Sequence, residues 1–249
     1  MKFLTVSDIV GLLILSCFPL QTIHAPQKDN GPLKSFADSL RSKGIGTSEH
    51  SLVAALKNDD PEVRSLAANQ LAQMRDTAAI PEMKKALSGE KKPKTRIEIA
   101  AALAALGDPK GLQELSTACS DKSKATEIII EATQQLQVLH ASSKPCENQI
   151  LERAMTSVDY RAESISLLLP TFPAVSDVPS ERLINFLTDM LGDEKQTPEV
   201  RIQAGHVLGE IGPPNSKLTI EKAILAEKDQ TVRANLMEDI KVIENRQKP

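Results

Sequence analysis

Residue types that could perform chemistry are few and scattered in this chain of 249 residues. Histidine, the commonest general base, shares no repeated spacing with a carboxylate or a nucleophile at any of its four positions, His24, His50, His140 and His206. Glu49 and His50 are the nearest acid and imidazole, and they lie at a predicted helix start, where an exposed polar pair is the simpler interpretation. The sequence contains no Cys-x-x-Cys, no glycine-rich phosphate loop and no Gly-x-Ser-x-Gly. We therefore expect a noncatalytic protein with no catalytic residues, no bound metal and no cofactor.

The amino-terminal residues predict export. Lys2 precedes an apolar block over residues 9–20, which is shorter than the roughly 20 residues that span a bilayer and is typical of a secretory signal. Cleavage after Ala25 would remove residues 1–25. Alternatively, Ile14-Leu15-Ser16-Cys17 is similar to a bacterial lipobox in which Cys17 is lipidated; otherwise Cys17 is discarded with the signal. The expected location is periplasmic or secreted, or at the membrane as an anchored lipoprotein.

Export changes the interpretation of the remaining cysteines, Cys119 and Cys146. An oxidising compartment permits a disulfide between them. The bridge would close a loop of 27 residues and contribute roughly 3 kcal/mol. The alternative is two small apolar residues that are buried independently.

An internal repeat organises the rest of the chain. Asp60-Pro-Glu-Val-Arg64 returns as Thr197-Pro-Glu-Val-Arg201 and, more loosely, as Asp229-Gln-Thr-Val-Arg233. Intermediate positions of the same kind complete a series with spacings of 32, 31, 34, 40 and 32 residues: Arg64, Arg96, Glu127, Arg161, Arg201 and Arg233. A near-constant period in this range is typical of stacked structural units.

Each unit contains two predicted amphipathic helices. In the second helix of the fifth unit, apolar residues fall three and four apart, as one buried helix face requires: Val200, Ala204, Val207, Leu208 and Ile211. Asp60 and Thr197 can cap the first turn, and Pro61 and Pro198 sit where no amide hydrogen is needed. We therefore predict an all-α solenoid of about six two-helix repeats over residues 48–245. A polar lead-in at 26–47, with a short capping helix over 33–41, precedes the repeats, and a tail at 246–249 follows.

The motif Asp-Pro-x-Val-Arg, followed by an alanine-rich helix and then Leu-Gly, resembles HEAT-like repeats of the phycobilisome-lyase type. This resemblance implies that the motif arginines Arg64, Arg201 and Arg233 join adjacent units to an acidic partner. It also offers an alternative function, an accessory role similar to that of bilin lyases, which export argues against. Paired His-Glu motifs like those of HEAT-like diiron hydroxylases are absent from the sequence.

Composition narrows the class of partner. The net charge is −3, the lysines are scattered and the chain has no Trp, which leaves neither a basic stripe nor stacking aromatics for nucleic acid. The expected partner is a protein or peptide, and contact with a membrane is expected only if Cys17 is lipidated. Polar residues of the second helices that the apolar stripe does not use are the candidate contacts: Gln70, Gln73, Glu98, Glu131, Glu163, Gln203 and Glu210. We therefore expect an exported protein-interaction scaffold, with an envelope-anchored structural module as the alternative.

Overall fold

The computed structural model describes residues 35–169 and 180–246. The regular secondary structure of these ranges is all helical, with no β-strand. Two short 3-10 turns, Thr77–Ala79 and Lys144–Cys146, lie between α-helices. The α-helices, numbered in chain order, are α1 Phe36–Ser42, α2 Glu49–Ala55, α3 Pro61–Gln73, α4 Ile80–Gly89, α5 Pro93–Ala105, α6 Pro109–Ser120, α7 Thr126–Val138, α8 Glu147–Thr156, α9 Arg161–Leu168, α10 Glu181–Gly192, α11 Pro198–Ile211, α12 Ser216–Ala226 and α13 Gln230–Arg246.

The helices from α2 onward form six antiparallel pairs that stack in chain order. The first helices are α2, α4, α6, α8, α10 and α12, and each packs against the second helix that follows it. The second helices make a continuous layer, since α3 contacts α5, α5 contacts α7, and the same holds on to α13. Helix α1 lies against α3 at the amino-terminal end. The predicted α-solenoid of six two-helix repeats is confirmed.

The helix starts follow the predicted capping chemistry. The side chain of Asp60 accepts a hydrogen bond from the backbone N–H of Glu62, and Thr197 accepts one from Val200. The capping helix, predicted over 33–41, is observed as α1. The predicted signal, Cys17, and residues 170–179 and 247–249 lie outside the described residues.

The third unit has a different register from the one that the sequence indicated. The backbone N–H groups of Arg64, Arg96 and Arg201 each bond the carbonyl of the capping residue four positions earlier. Ile129 makes the same bond to Ala125. Ile129, fully buried, therefore occupies the place of the motif arginine, and the assignment of Glu127 to that place was wrong by two residues. The helix had no polar cap to mark its start, because Ala125 stands at the capping position.

Two glycines allow the last two second helices to approach closely. A Cβ at Gly209 would lie 3.1 Å from the Cβ of Asp239, and a Cβ at Gly205 would collide with the side chain of Leu236. The close contact buries Leu236 completely and leaves Asp239 only 5 % exposed.

Among the described residues, no helix is both long and apolar enough to cross a membrane.

Candidate functional site

The motif arginines join successive units at the edge where the first helix of each pair turns into the second. Arg64 Nε lies 2.7 Å from Glu90 Oε2, and Arg201 Nε lies 2.9 Å from Glu227 Oε2. Each arginine also donates through Nη1 to backbone carbonyls of its own turn, Asn58 for Arg64 and Gln196 for Arg201. The predicted acidic partners of Arg64 and Arg201 are confirmed.

The two acidic partners occupy equivalent positions and are held in the same way. Glu90 Oε1 accepts the backbone N–H groups of the next two residues, and Glu227 Oε1 does likewise. The hydrogen bond from Arg64 lowers the pKa of Glu90. For Glu227, burial opposes the ionised form, but the amide of Asp229 and the guanidinium of Arg201 outweigh it and lower the pKa. Both carboxylates therefore serve as internal counterions.

The remaining arginines vary this pattern. Arg96 pairs with Glu114 of the third unit, while Arg161 donates to the neutral side chain of Gln196. Arg233 lies in the last unit, donates to the carbonyl of Glu227 and has no carboxylate partner within the described ranges. The acidic partner predicted for Arg233 is therefore absent there, because no following described unit supplies one.

Other contacts join the third and fourth units, where the motif arginine is missing. A disulfide joins Cys119, at the end of α6, to Cys146, just before α8. Their Cα atoms are 5.0 Å apart, and both residues are fully buried. Arg153 of α8 reaches back to the carbonyls of Lys122 and Lys124. The Tyr160 hydroxyl also donates to Glu127 across the same junction, at 2.8 Å. No motif in the sequence indicated the role of Arg153, which is on a first helix.

Three of the candidate contact residues fall at one structural position on successive second helices. Glu98, Glu131 and Glu163 each lie two residues after the motif position, on α5, α7 and α9. Gln203 has this position on α11 and is half-buried. We name the residues Glu98, Glu131 and Glu163 the acidic column.

Two members of the acidic column, Glu98 and Glu131, are close enough to interact electrostatically. Burial raises the pKa of Glu131; Lys94 opposes this rise and the negative charge of Glu98 adds to it. Glu163 accepts a hydrogen bond of 2.8 Å from Gln134 Nε2 on the preceding second helix. The column thus crosses three units, and the fold brings the like charges of Glu98 and Glu131 close together.

The other candidates are not part of this column. Gln70 is only 8 % exposed because α5 packs on α3, and its Oε1 has no hydrogen-bond partner among the described residues. Gln70 is therefore removed from the candidate surface. Gln73 is exposed at the end of α3, and Glu210 is half-buried on α11.

A histidine and an acid that the sequence did not associate meet between the last two units. His206 Nδ1 lies 3.3 Å from Asp239 Oδ1, and this hydrogen bond raises the pKa of His206. Burial opposes that rise, whereas the charge of Glu210 adds to it. The two residues are 33 positions apart, so only the repeat register could have indicated their contact. No group of three or more His, Cys, Asp or Glu in the described ranges could hold a metal ion.

A known protein family matches part of the chain. Residues 49–137 match the family of HEAT repeats. None of the curated proteins matches the chain significantly. Among solved structures, the chain is similar to the complex of CpcE and CpcF of phycocyanin lyase from Nostoc sp. PCC7120, with 19% identity, 88% of this chain and 80% of that chain covered, and a TM-score of 0.45.

A second similar structure is human deoxyhypusine hydroxylase in complex with glycerol, with 19% identity, coverage of 79% of this chain and 84% of that chain, and a TM-score of 0.30. The family match covers the first three helix pairs, α2 to α7. The six stacked pairs make the chain an α-solenoid, and its first three pairs match HEAT repeats.

Proposed function

We propose that the protein is a noncatalytic scaffold that binds a protein or peptide through its layer of second helices. The acidic column is the observation that supports this proposal. Glu98, Glu131 and Glu163 repeat on three neighbouring helices, and burial together with the charge of Glu98 raises the pKa of Glu131, so its ionisation is harder than in water. A cationic group placed against the column would relieve that cost.

The partner chemistry follows from what this surface offers. Large aromatic anchors are scarce, because the whole chain has no Trp, one Tyr and five Phe. Charge complementarity then has to supply specificity and a fast association rate. We propose a Lys- or Arg-rich segment of a protein as the bound element.

The test begins with chemical crosslinking in the native host and identification of the captured proteins by mass spectrometry. Binding of the purified partner is then compared for the parent and for the variant Glu98→Gln/Glu131→Gln/Glu163→Gln. Removing three carboxylates near a cationic segment is expected to weaken binding by about tenfold or more at low salt.

A matched control removes the same charge elsewhere. Glu49, Glu181 and Glu194 are exposed and lie on first helices or in a turn, so Glu49→Gln/Glu181→Gln/Glu194→Gln should bind like the parent. Equal binding by the parent and by the column variant would contradict the proposal.

We propose further that the scaffold is exported, to the periplasm or the medium, and that the predicted signal at 1–25 directs it. Juxtaposition of Cys119 and Cys146 supports an oxidising compartment. In the anchored alternative, Cys17 carries a lipid. A clickable fatty acid should then label the parent protein and not the Cys17→Ser variant. Recovery of the mature chain in the cytoplasm would contradict export.

A further inference from the structure

A cavity of about 330 Å³ lies between the first two units, at the edge that carries the motif arginines. Its less exposed lining residues, Leu56 and Ala86, are apolar, and we call them its floor. Three exposed lysines also line it, and we call them its rim: Lys85, Lys91 and Lys92. The cavity is thus a concave site with concentrated positive charge, although the whole chain has a net charge of −3.

The one carboxylate that lines the cavity does not neutralise this rim. Glu90 is already bonded to Arg64 through both oxygens, at 2.7 and 2.9 Å. Its Oε1 also accepts the backbone N–H groups of Lys91 and Lys92. Since the Arg64–Glu90 pair is neutral as a unit, the lysine ammonium groups carry the excess charge.

The rim lysines have few competing partners. Lys85 pairs with Glu82 on an exposed surface, where such a pair contributes little. Within the described ranges, neither Lys91 nor Lys92 forms an ion pair with a carboxylate. Helix α5 begins directly after them, at Pro93, and has no side-chain cap, so its positive end adds to the field at the rim.

We propose that this cavity binds a phosphate group. Several lysines acting as point charges beside a helix amino end suit a compact phosphate anion, whether a monoester or a diester. The apolar floor can accept the organic part that carries the phosphate. That phosphate can belong to a free small molecule or to the headgroup of an anionic lipid, and binding of either is independent of the acidic column on the second helices.

The experiment is a titration of the isotopically labelled chain with inorganic phosphate, followed by amide NMR shifts, beside a sedimentation assay with phosphatidylglycerol-containing vesicles. The key variant is Lys91→Gln/Lys92→Gln. The control, Lys195→Gln/Lys222→Gln, removes the same charge at exposed positions far along the chain. We expect shifts confined to residues near 86–95 and binding about tenfold weaker in the key variant only.

The outcomes separate the two sources of phosphate. If the parent responds to inorganic phosphate and the key variant does not, the ligand is a free phosphorylated molecule. If the parent binds vesicles but does not respond to inorganic phosphate, and the key variant binds neither, the ligand is a lipid headgroup. The proposal is overturned if neither probe binds at millimolar phosphate, or if the key variant binds as well as the control.

Discussion

Breaking the bond between Cys119 and Cys146 is predicted to destabilise the protein at its least regular junction. The third and fourth units lack the arginine tie found elsewhere, because Ile129 occupies its position. Arg153 contributes hydrogen bonds there, but both of its carbonyl acceptors lie in one exposed turn. The covalent bond is therefore expected to contribute a large share of the coupling between these units.

The expected magnitude follows from chain entropy. With the two cysteines 27 positions apart, the loop-closure relation gives about 3.5 kcal/mol at room temperature. A urea m-value of about 2–3 kcal/mol/M turns this into a midpoint lowered by about 1–2 M. Reducing the parent protein measures the effect of the covalent bond alone, because no side-chain atom is removed from the buried core.

The assay is urea unfolding followed by far-ultraviolet circular dichroism, with and without reductant. The Cys119→Ala/Cys146→Ala variant serves as the control and should not respond to reductant. Mass measurement of the native protein should show a gain of two hydrogens on reduction. Two free thiols before reduction, or an unchanged midpoint after it, would refute the reasoning.

Two further predictions concern the junction between the last two units. Arg201→Ala should lower the free energy of unfolding by about 3–5 kcal/mol, because it leaves Glu227 buried at 11 % side-chain exposure without its counterion. In the same chemical denaturation, Arg182→Ala should change the free energy of unfolding by no more than about 1 kcal/mol, because its side chain is 57 % exposed. Equal losses of stability in the two variants would contradict a stabilising role for the buried Arg201–Glu227 pair. For His206, the contact with Asp239 raises the folded-state pKa above the ordinary 6.5. Its stabilisation is therefore complete below about pH 6.5 and is lost as the pH rises through the raised pKa. The urea midpoint should fall over that range, and His206→Gln should abolish this component of the pH dependence.

Much of the architecture could be predicted because several helix starts carry a capping residue of their own. Asp60 and Thr197 are local signals that cap their own helices. The apolar stripe of a helix can likewise be recognised from the sequence of that helix alone. The third unit shows where such signals end. Ala125 cannot cap through a side chain and Ile129 replaces the arginine, so nothing local marked the register.

The candidate surface was less predictable because exposure depends on how units stack. Gln70 and Glu98 both looked like unused polar positions, yet packing buries the former and leaves the latter half-exposed. The alignment of Glu98 with Glu131 emerged only with the corrected register of α7. Contacts between distant residues, such as His206 with Asp239, require that register as well.

Site-specific photocrosslinking in the native host tests the central claim most directly. A photoreactive amino acid placed at Glu163, exposed on α9, is compared with one at Gln113, exposed on α6 of the first-helix layer. A scaffold that binds through its second helices predicts that position 163 captures a specific protein through a Lys- or Arg-rich segment and that position 113 does not. Capture of the same proteins in equal yield from both positions, or of none from position 163, would contradict the account.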